Sequence, residues 1–164
     1  MHRTGAAGAW RDAFLRMPYW RDPAVGLGVI MDTFETAITW DRFDAFYTGV
    51  KADVSAAIER ATGHEALLSC RFTHVYPDGP APYFTWHALG DKAKLPEQFW
   101  AIKAAASQAM IDAGGTITHH HALGRDHRTW YDQERPELFA DALRAVKKRL
   151  DPKGVLNPGI LVDA

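Results

Sequence analysis

Residues 65–89, EALLSCRFTHVYPDGPAPYFTWHAL, constrain the fold of this chain more than any other stretch. Runs rich in β-branched and aromatic residues flank Pro77-Asp78-Gly79-Pro80, a set of residues that presets a tight reversal. The arms therefore pair as an antiparallel hairpin. On the second arm Tyr83, Thr85 and His87 share one face, and Phe84, Trp86 and Ala88 share the other. The apolar set predicts a face covered by helices, which leaves Tyr83 on the open face.

Those helices are readable on either side of the hairpin. In DRFDAFYTGVKADVSAAIERATG, residues Phe43, Phe46, Tyr47, Val50, Val54, Ala57, Ile58 and Ala61 recur at spacings of three and four. That is an amphipathic helix, with Asp41 as its N-cap and Gly63 just past its end. In LPEQFWAIKAAASQAMIDAGG, Phe99, Ile102, Ala106, Ala109, Met110 and Ala113 form a second apolar stripe that stops at Gly114-Gly115. Upstream, VGLGVIMDTFETAIT alternates Val25, Leu27, Val29 and Met31 with other residues and reads as a strand. TITHHH, residues 116–121, reads as a fourth strand running into a loop. A tail helix, PELFADALRAVKKRL, starts at Pro136 with Phe139, Ala142, Leu143, Val146 and Leu150 facing in. AWRDAFLRMPYW predicts a short helix broken at Pro18, after a loose first dozen residues.

The expected fold is α+β: a ferredoxin-like β-α-β-β-α-β antiparallel sheet with helices on one face, plus a C-terminal helix. One domain, residues 1–164, accommodates it. A formal net charge of −1 points away from nucleic acid and anionic membranes as partners. Cys70 is the only cysteine, so no internal disulfide forms and a reducing, cytoplasmic location is expected. The chain shows no Gly-rich phosphate loop, Walker motif, GxSxG elbow or CxxC pair.

The chemistry concentrates in GGTITHHHALGRDH. If the triplet lay on a strand, His119 and His121 would share a metal ion while His120 pointed away, with His74, His87, Glu35 and Asp32 as further donors. No recognised ligand spacing joins those residues to the triplet. As acid/base groups, three clustered imidazoles suit proton transfer near neutrality, because crowding opposes their full protonation. Arg21 and Arg71 are candidate grips for an anion. Glu35 in FET also reads as a strand end with an ion pair. Tyr76 and Tyr83 occupy the two hairpin arms.

Taken in order, PYWRD, DTFETAITWDR, CRFTHVYPDGPAPYFTW, GGTITHHHALGRDHRTWY and VKKRLDPKGVLNPG resemble the C-terminal part of FAD-linked oxidases of the vanillyl-alcohol oxidase type. The resemblance runs from about residue 18 to residue 161. DPKGVLNPG is shared across the superfamily, including D-lactate and glycolate dehydrogenases. FETAITWDR and the histidine triplet resemble the alkyldihydroxyacetonephosphate synthase branch. The resemblance implies a substrate or cap domain that covers FAD, with the flavin-binding domain absent from these residues and supplied in cis or in trans. In that branch a fatty alcohol replaces the acyl chain of acyl-dihydroxyacetone phosphate without net redox. By the same resemblance Arg21 grips the anionic end of a small-molecule substrate, and Tyr83 exchanges a proton with the substrate carbon. His119, His120 and His121 line the flavin and substrate, with no metal. The isolated chain is expected to be inactive, and a homodimer is a further expected partner state. The alternatives are a D-2-hydroxy-acid dehydrogenase fragment and a stand-alone ferredoxin-like module that binds a metal or another ligand.

Overall fold

A computed structural model describes residues 5–163. Helices α1 (Ala6–Arg16) and α2 (Pro18–Gly26) precede strand β1 (Val29–Glu35) and helix α3 (Trp40–Thr62). Strands β2 (Leu67–Val75) and β3 (Pro80–Leu89) form the hairpin, followed by α4 (Leu95–Asp112), α5 (Arg128–Glu134) and α6 (Glu137–Leu150). The strands make an antiparallel sheet in the order β1-β3-β2, so the α+β class holds.

The core lies between this sheet and α3 with α4. Phe34 and Phe84 stack across the β1–β3 pair at 4.7 Å, and Trp86, Val50, Val54, Ile58, Ile102 and Met110 are fully buried with them. Side chains on each helix recur at three and four residues, so a single stripe meets the sheet. Gly63 ends α3 in the left-handed conformation, φ 76°, as a C-terminal glycine should. Thr39, not Asp41, takes the N-cap position, and Asp41 sits in the first turn, where its charge suits the helix dipole.

Other expectations also need correction. The segment from Ala6 is helical, not loose, and residues 1–4 lie outside the described residues. Pro18 does not merely break the first helix: it starts α2, whose end holds Val25, so β1 begins only at Val29 and buries Ile30 and Phe34. The α6 stripe does not face in. Phe139 is 51% exposed, Val146 54% and Leu150 74%, and only Ala140 is buried. No described helix is long and apolar enough to cross a membrane.

The fourth strand is also missing among the described residues: 116–121 form bends, not a ladder. In a strand, successive backbone N–H groups point in opposite directions. Here the N–H groups of His119, His120 and His121 all converge on Glu35 Oε1, at 2.8, 3.0 and 3.0 Å. That geometry requires a turn, an anion-binding nest rather than an extended chain. The free edge of β1 is partly closed by Lys103 instead, whose Nζ reaches the Thr33 carbonyl at 3.2 Å and Asp32 at 2.8 Å. A charged side chain on an edge also discourages pairing with another chain.

Gly79 fixes the hairpin against the segment that joins β1 to α3. A Cβ there would lie 2.0 Å from the Ile38 carbonyl oxygen, a backbone atom that cannot rotate away. Gly79→Ala is expected to destabilise the domain by about 3 kcal/mol, as overpacking against an immobile neighbour does. Urea unfolding checks this, and a change under about 0.5 kcal/mol, ordinary for a surface position, would contradict it.

Candidate active site

The open face of the sheet is set by register. Cross-strand partners share a face, so Thr33 with Thr85, Glu35 with Tyr83, and Tyr83 with Arg71 lie together opposite the core. As the alternation predicts, Phe84, Trp86 and Ala88 are buried on the helix side. A bulge between Phe72 and His74 then changes the phase of β2. Without it His74 would point at the helices. With it His74 pairs with Ala81 and joins the open face, a re-aiming that bulges commonly serve.

The 116–121 loop folds over this face and covers Glu35, whose side chain is fully buried. Glu35 Oε1 takes the three backbone N–H groups and also the Thr118 hydroxyl at 2.6 Å. Burial opposes its ionisation, but the Thr118 hydroxyl and the N–H groups of His121, His119 and His120 outweigh it and hold the pKa below its ordinary value. Oε2 is buried with no hydrogen-bond partner. His120 Nδ1 lies 3.0 Å from it, with the ring turned out of hydrogen-bonding alignment.

The rings form one continuous wall. Tyr83 stacks on His120, centroids 5.9 Å apart, and meets His121 edge-on at 5.4 Å. His119 Nδ1 is 3.3 Å from His120 Nδ1, and His119 Nε2 is 3.1 Å from the Tyr76 hydroxyl. The Tyr83 hydroxyl donates to Thr33 Oγ1 at 3.1 Å, and the Arg71 guanidinium sits over its ring at 4.8 Å. Desolvation pushes the His121 pKa down against the pull of Glu35, favouring a neutral ring. Tyr76 also borders an open cleft of about 560 Å³ with Arg42, Asp78 and Glu134.

The structure thus brings Tyr83, His119, His120 and His121 together. Arg21 is exposed on α2, and Arg71 is the arginine whose guanidinium lies over the Tyr83 ring. The metal pattern expected from alternation does not form, because the triplet is not a strand. His74, His119 and His120 are the set whose ring nitrogens lie within 4.8 Å of one another. Burial pushes the Cys70 thiol up to about 11, despite the Tyr83 backbone N–H, and so disfavours its thiolate form.

Residues 3–161 match the family of FAD linked oxidases, C-terminal domain. The chain belongs to that family. The C-terminal oxidase domain is 31% identical to alkyldihydroxyacetonephosphate synthase of Trypanosoma brucei brucei over 97% of its own length and 26% of that protein's. It is 33% identical to the Caenorhabditis elegans alkyldihydroxyacetonephosphate synthase over 88% of its length and 25% of that protein's. A solved alkyldihydroxyacetonephosphate synthase superposes on 94% of the domain and 24% of the solved chain, at a TM-score of 0.64 and 18% identity, which shows the shared fold. The domain therefore spans about a quarter of the length of the curated relatives it matches.

The sequence offered Glu35 and His74 only as conceivable metal donors and Arg71 only as an anion grip, and it gave Tyr76 no role; their places around Tyr83 and the triplet come from the structure. Glu35 carried a signal, a carboxylate directly after Phe34 at the end of the strand. The bulge that recruits His74 left none.

Proposed function

We propose that this domain forms the substrate wall of an alkyldihydroxyacetonephosphate-synthase-like flavoenzyme, with Tyr83 as the proton-exchanging group and His119, His120 and His121 beside flavin and substrate. The observation that carries this reading is the packing of Tyr83 against His120 and His121 on the open face. A flat heteroaromatic ring system fits such a wall of half-exposed rings, which offers a hydroxyl and several imidazole nitrogens. No Gly-rich phosphate loop accompanies it, so the reading assigns the FAD diphosphate to a flavin-binding domain in cis or in trans. When bound, the flavin supplies the electron-accepting ring against which the substrate reacts. This chain's residues orient the substrate and move its proton. Arg21 is the residue the family pattern assigns to the anionic end, and Arg71 is the arginine whose position beside Tyr83 suits the same task.

The exposed apolar stripe of α6 suits the flavin-binding domain as its partner. Leu138, Phe139, Val146 and Leu150, followed by Val155, Leu156 and Leu161, are all exposed, and grouped exposed apolar side chains commonly mark an interaction surface. The single free cysteine is in keeping with a reducing compartment such as the cytoplasm.

Mixing the chain with a flavin-binding half, supplied as a separate protein, tests the reading. A flavin absorbance spectrum that co-purifies with the complex is the expected result. The second reading, a metal module, is favoured by the His74–His119–His120 grouping. Stoichiometric zinc in the purified chain together with no reconstitution would establish that reading and remove the first.

A further inference from the structure

We propose that Glu35 is a positioning residue that sets the tautomers of the histidine wall, and so fixes which ring nitrogen of His120 faces the substrate as a base. The argument starts at the buried carboxylate. Oε1 is saturated by donors: the Thr118 hydroxyl and the N–H groups of His119, His120 and His121. Oε2 has no partner, is shielded from water, and lies 3.0 Å from His120 Nδ1. An ionised carboxylate oxygen only accepts. A lone pair on Nδ1 would therefore set two acceptors against each other in a dry site, at the cost of an unsatisfied buried anion. A proton on His120 Nδ1 replaces that lone-pair repulsion with attraction, although the ring is not aligned to bond Oε2 directly.

The remaining protons follow from this one. His119 Nδ1 is 3.3 Å from the same His120 nitrogen. If that nitrogen carries the proton, His119 Nδ1 must accept, and the single proton of neutral His119 goes to Nε2. From there it is donated to the Tyr76 hydroxyl, 3.1 Å away. Tyr76 keeps its own proton for the cleft it borders. The chain Glu35–His120–His119–Tyr76 is thus polarised in one direction from its buried end. It leaves His120 Nε2, on the far side of a partly exposed ring stacked with Tyr83, as an unprotonated acceptor.

The catalytic consequence rests on the flavoenzyme reading above, but the tautomers do not need flavin. They are read on the full chain alone, from long-range imidazole ¹H–¹⁵N correlations at mildly alkaline pH, where protonated and unprotonated ring nitrogens resonate far apart. The wild type is expected to show His120 as Nδ1–H and His119 as Nε2–H. In Glu35→Gln the amide oxygen keeps the four donors, so the amide NH₂ replaces Oε2 and donates to His120 Nδ1. His120 should then invert to Nε2–H, while the amides of 119–121 stay protected from exchange. Tyr76→Phe should leave His120 as Nδ1–H. A wild-type His120 in the Nε2–H form overturns the proposal, whether or not Glu35→Gln folds. So does a Glu35→Gln spectrum with unchanged tautomers, or loss of the Nδ1–H form in Tyr76→Phe. Failure of flavin reconstitution with these tautomers present would remove the flavoenzyme reading and leave the positioning role standing.

Discussion

Glu35→Ala should destabilise the domain by about 3–5 kcal/mol, more than a cavity of that size alone would. The carboxylate satisfies three backbone N–H groups and one hydroxyl, and hydrogen bonds to a charged group contribute about 1.5–3 kcal/mol each. Their contributions do not add, because the loop can relax toward water once its anchor is lost. The size expected is therefore that of breaking a buried charge from its partners, about 3–5 kcal/mol. Urea unfolding measures it, and hydrogen exchange locates it: the amides of His119, His120 and His121 should lose protection before the core does. A variant within about 1 kcal/mol of wild type, the range of a neutral surface change, would mean that the loop is held by something else.

The same carboxylate predicts a pH dependence. Its folded pKa is lowered from the ordinary 4.5. Its stabilisation is therefore fully present above that ordinary value and is lost as the pH falls through the lowered folded pKa. Wild type should lose stability across that acid window, and Glu35→Ala should show a correspondingly flatter profile there. A wild-type and a variant profile that run parallel through the window would refute the assignment.

In a reconstituted flavin complex, Tyr83→Phe is expected to lower turnover by a factor of about 10²–10⁴, the usual contribution of a positioned proton-transfer group. Flavin should remain bound. The substitution isolates the hydroxyl: the ring keeps its contacts with His120, His121 and Arg71. Only the bond to Thr33 Oγ1 is lost, which costs stability about 1 kcal/mol. Visible absorbance and turnover are therefore separate readouts. Full turnover with phenylalanine would show that Tyr83 is not the group that carries the proton.

Most of the fold was legible because it depends on local periodicity. The three-and-four stripes of α3 and α4 and the Pro-Asp-Gly turn each specify an element from its own residues, and the two-residue alternation of β3 placed Tyr83 on the open face. The α6 stripe was equally legible as a helix. What its apolar face meets was not, since amphipathicity states that a surface will be covered and not by what. The family motifs pointed to flavin chemistry through residues at matching places, and the match over residues 3–161 agrees.

By itself the sequence determined the α+β class, the hairpin, the two core helices, and the gathering of Tyr83 and the histidine triplet as the chemically distinctive residues. The tertiary structure alone decided the state of the triplet. TITHHH has the β-branched start of a strand, but backbone N–H groups go to the strongest acceptor within reach. That acceptor is the carboxylate of Glu35, more than eighty residues away in the chain. A long-range charge–amide contact overrode a local propensity and turned a strand into a nest. It placed His119 and His120 side by side, and with the β2 bulge it added His74 and Tyr76 to the site. No periodicity records such a contact, because its energy arises only when β1 and the loop are already packed together.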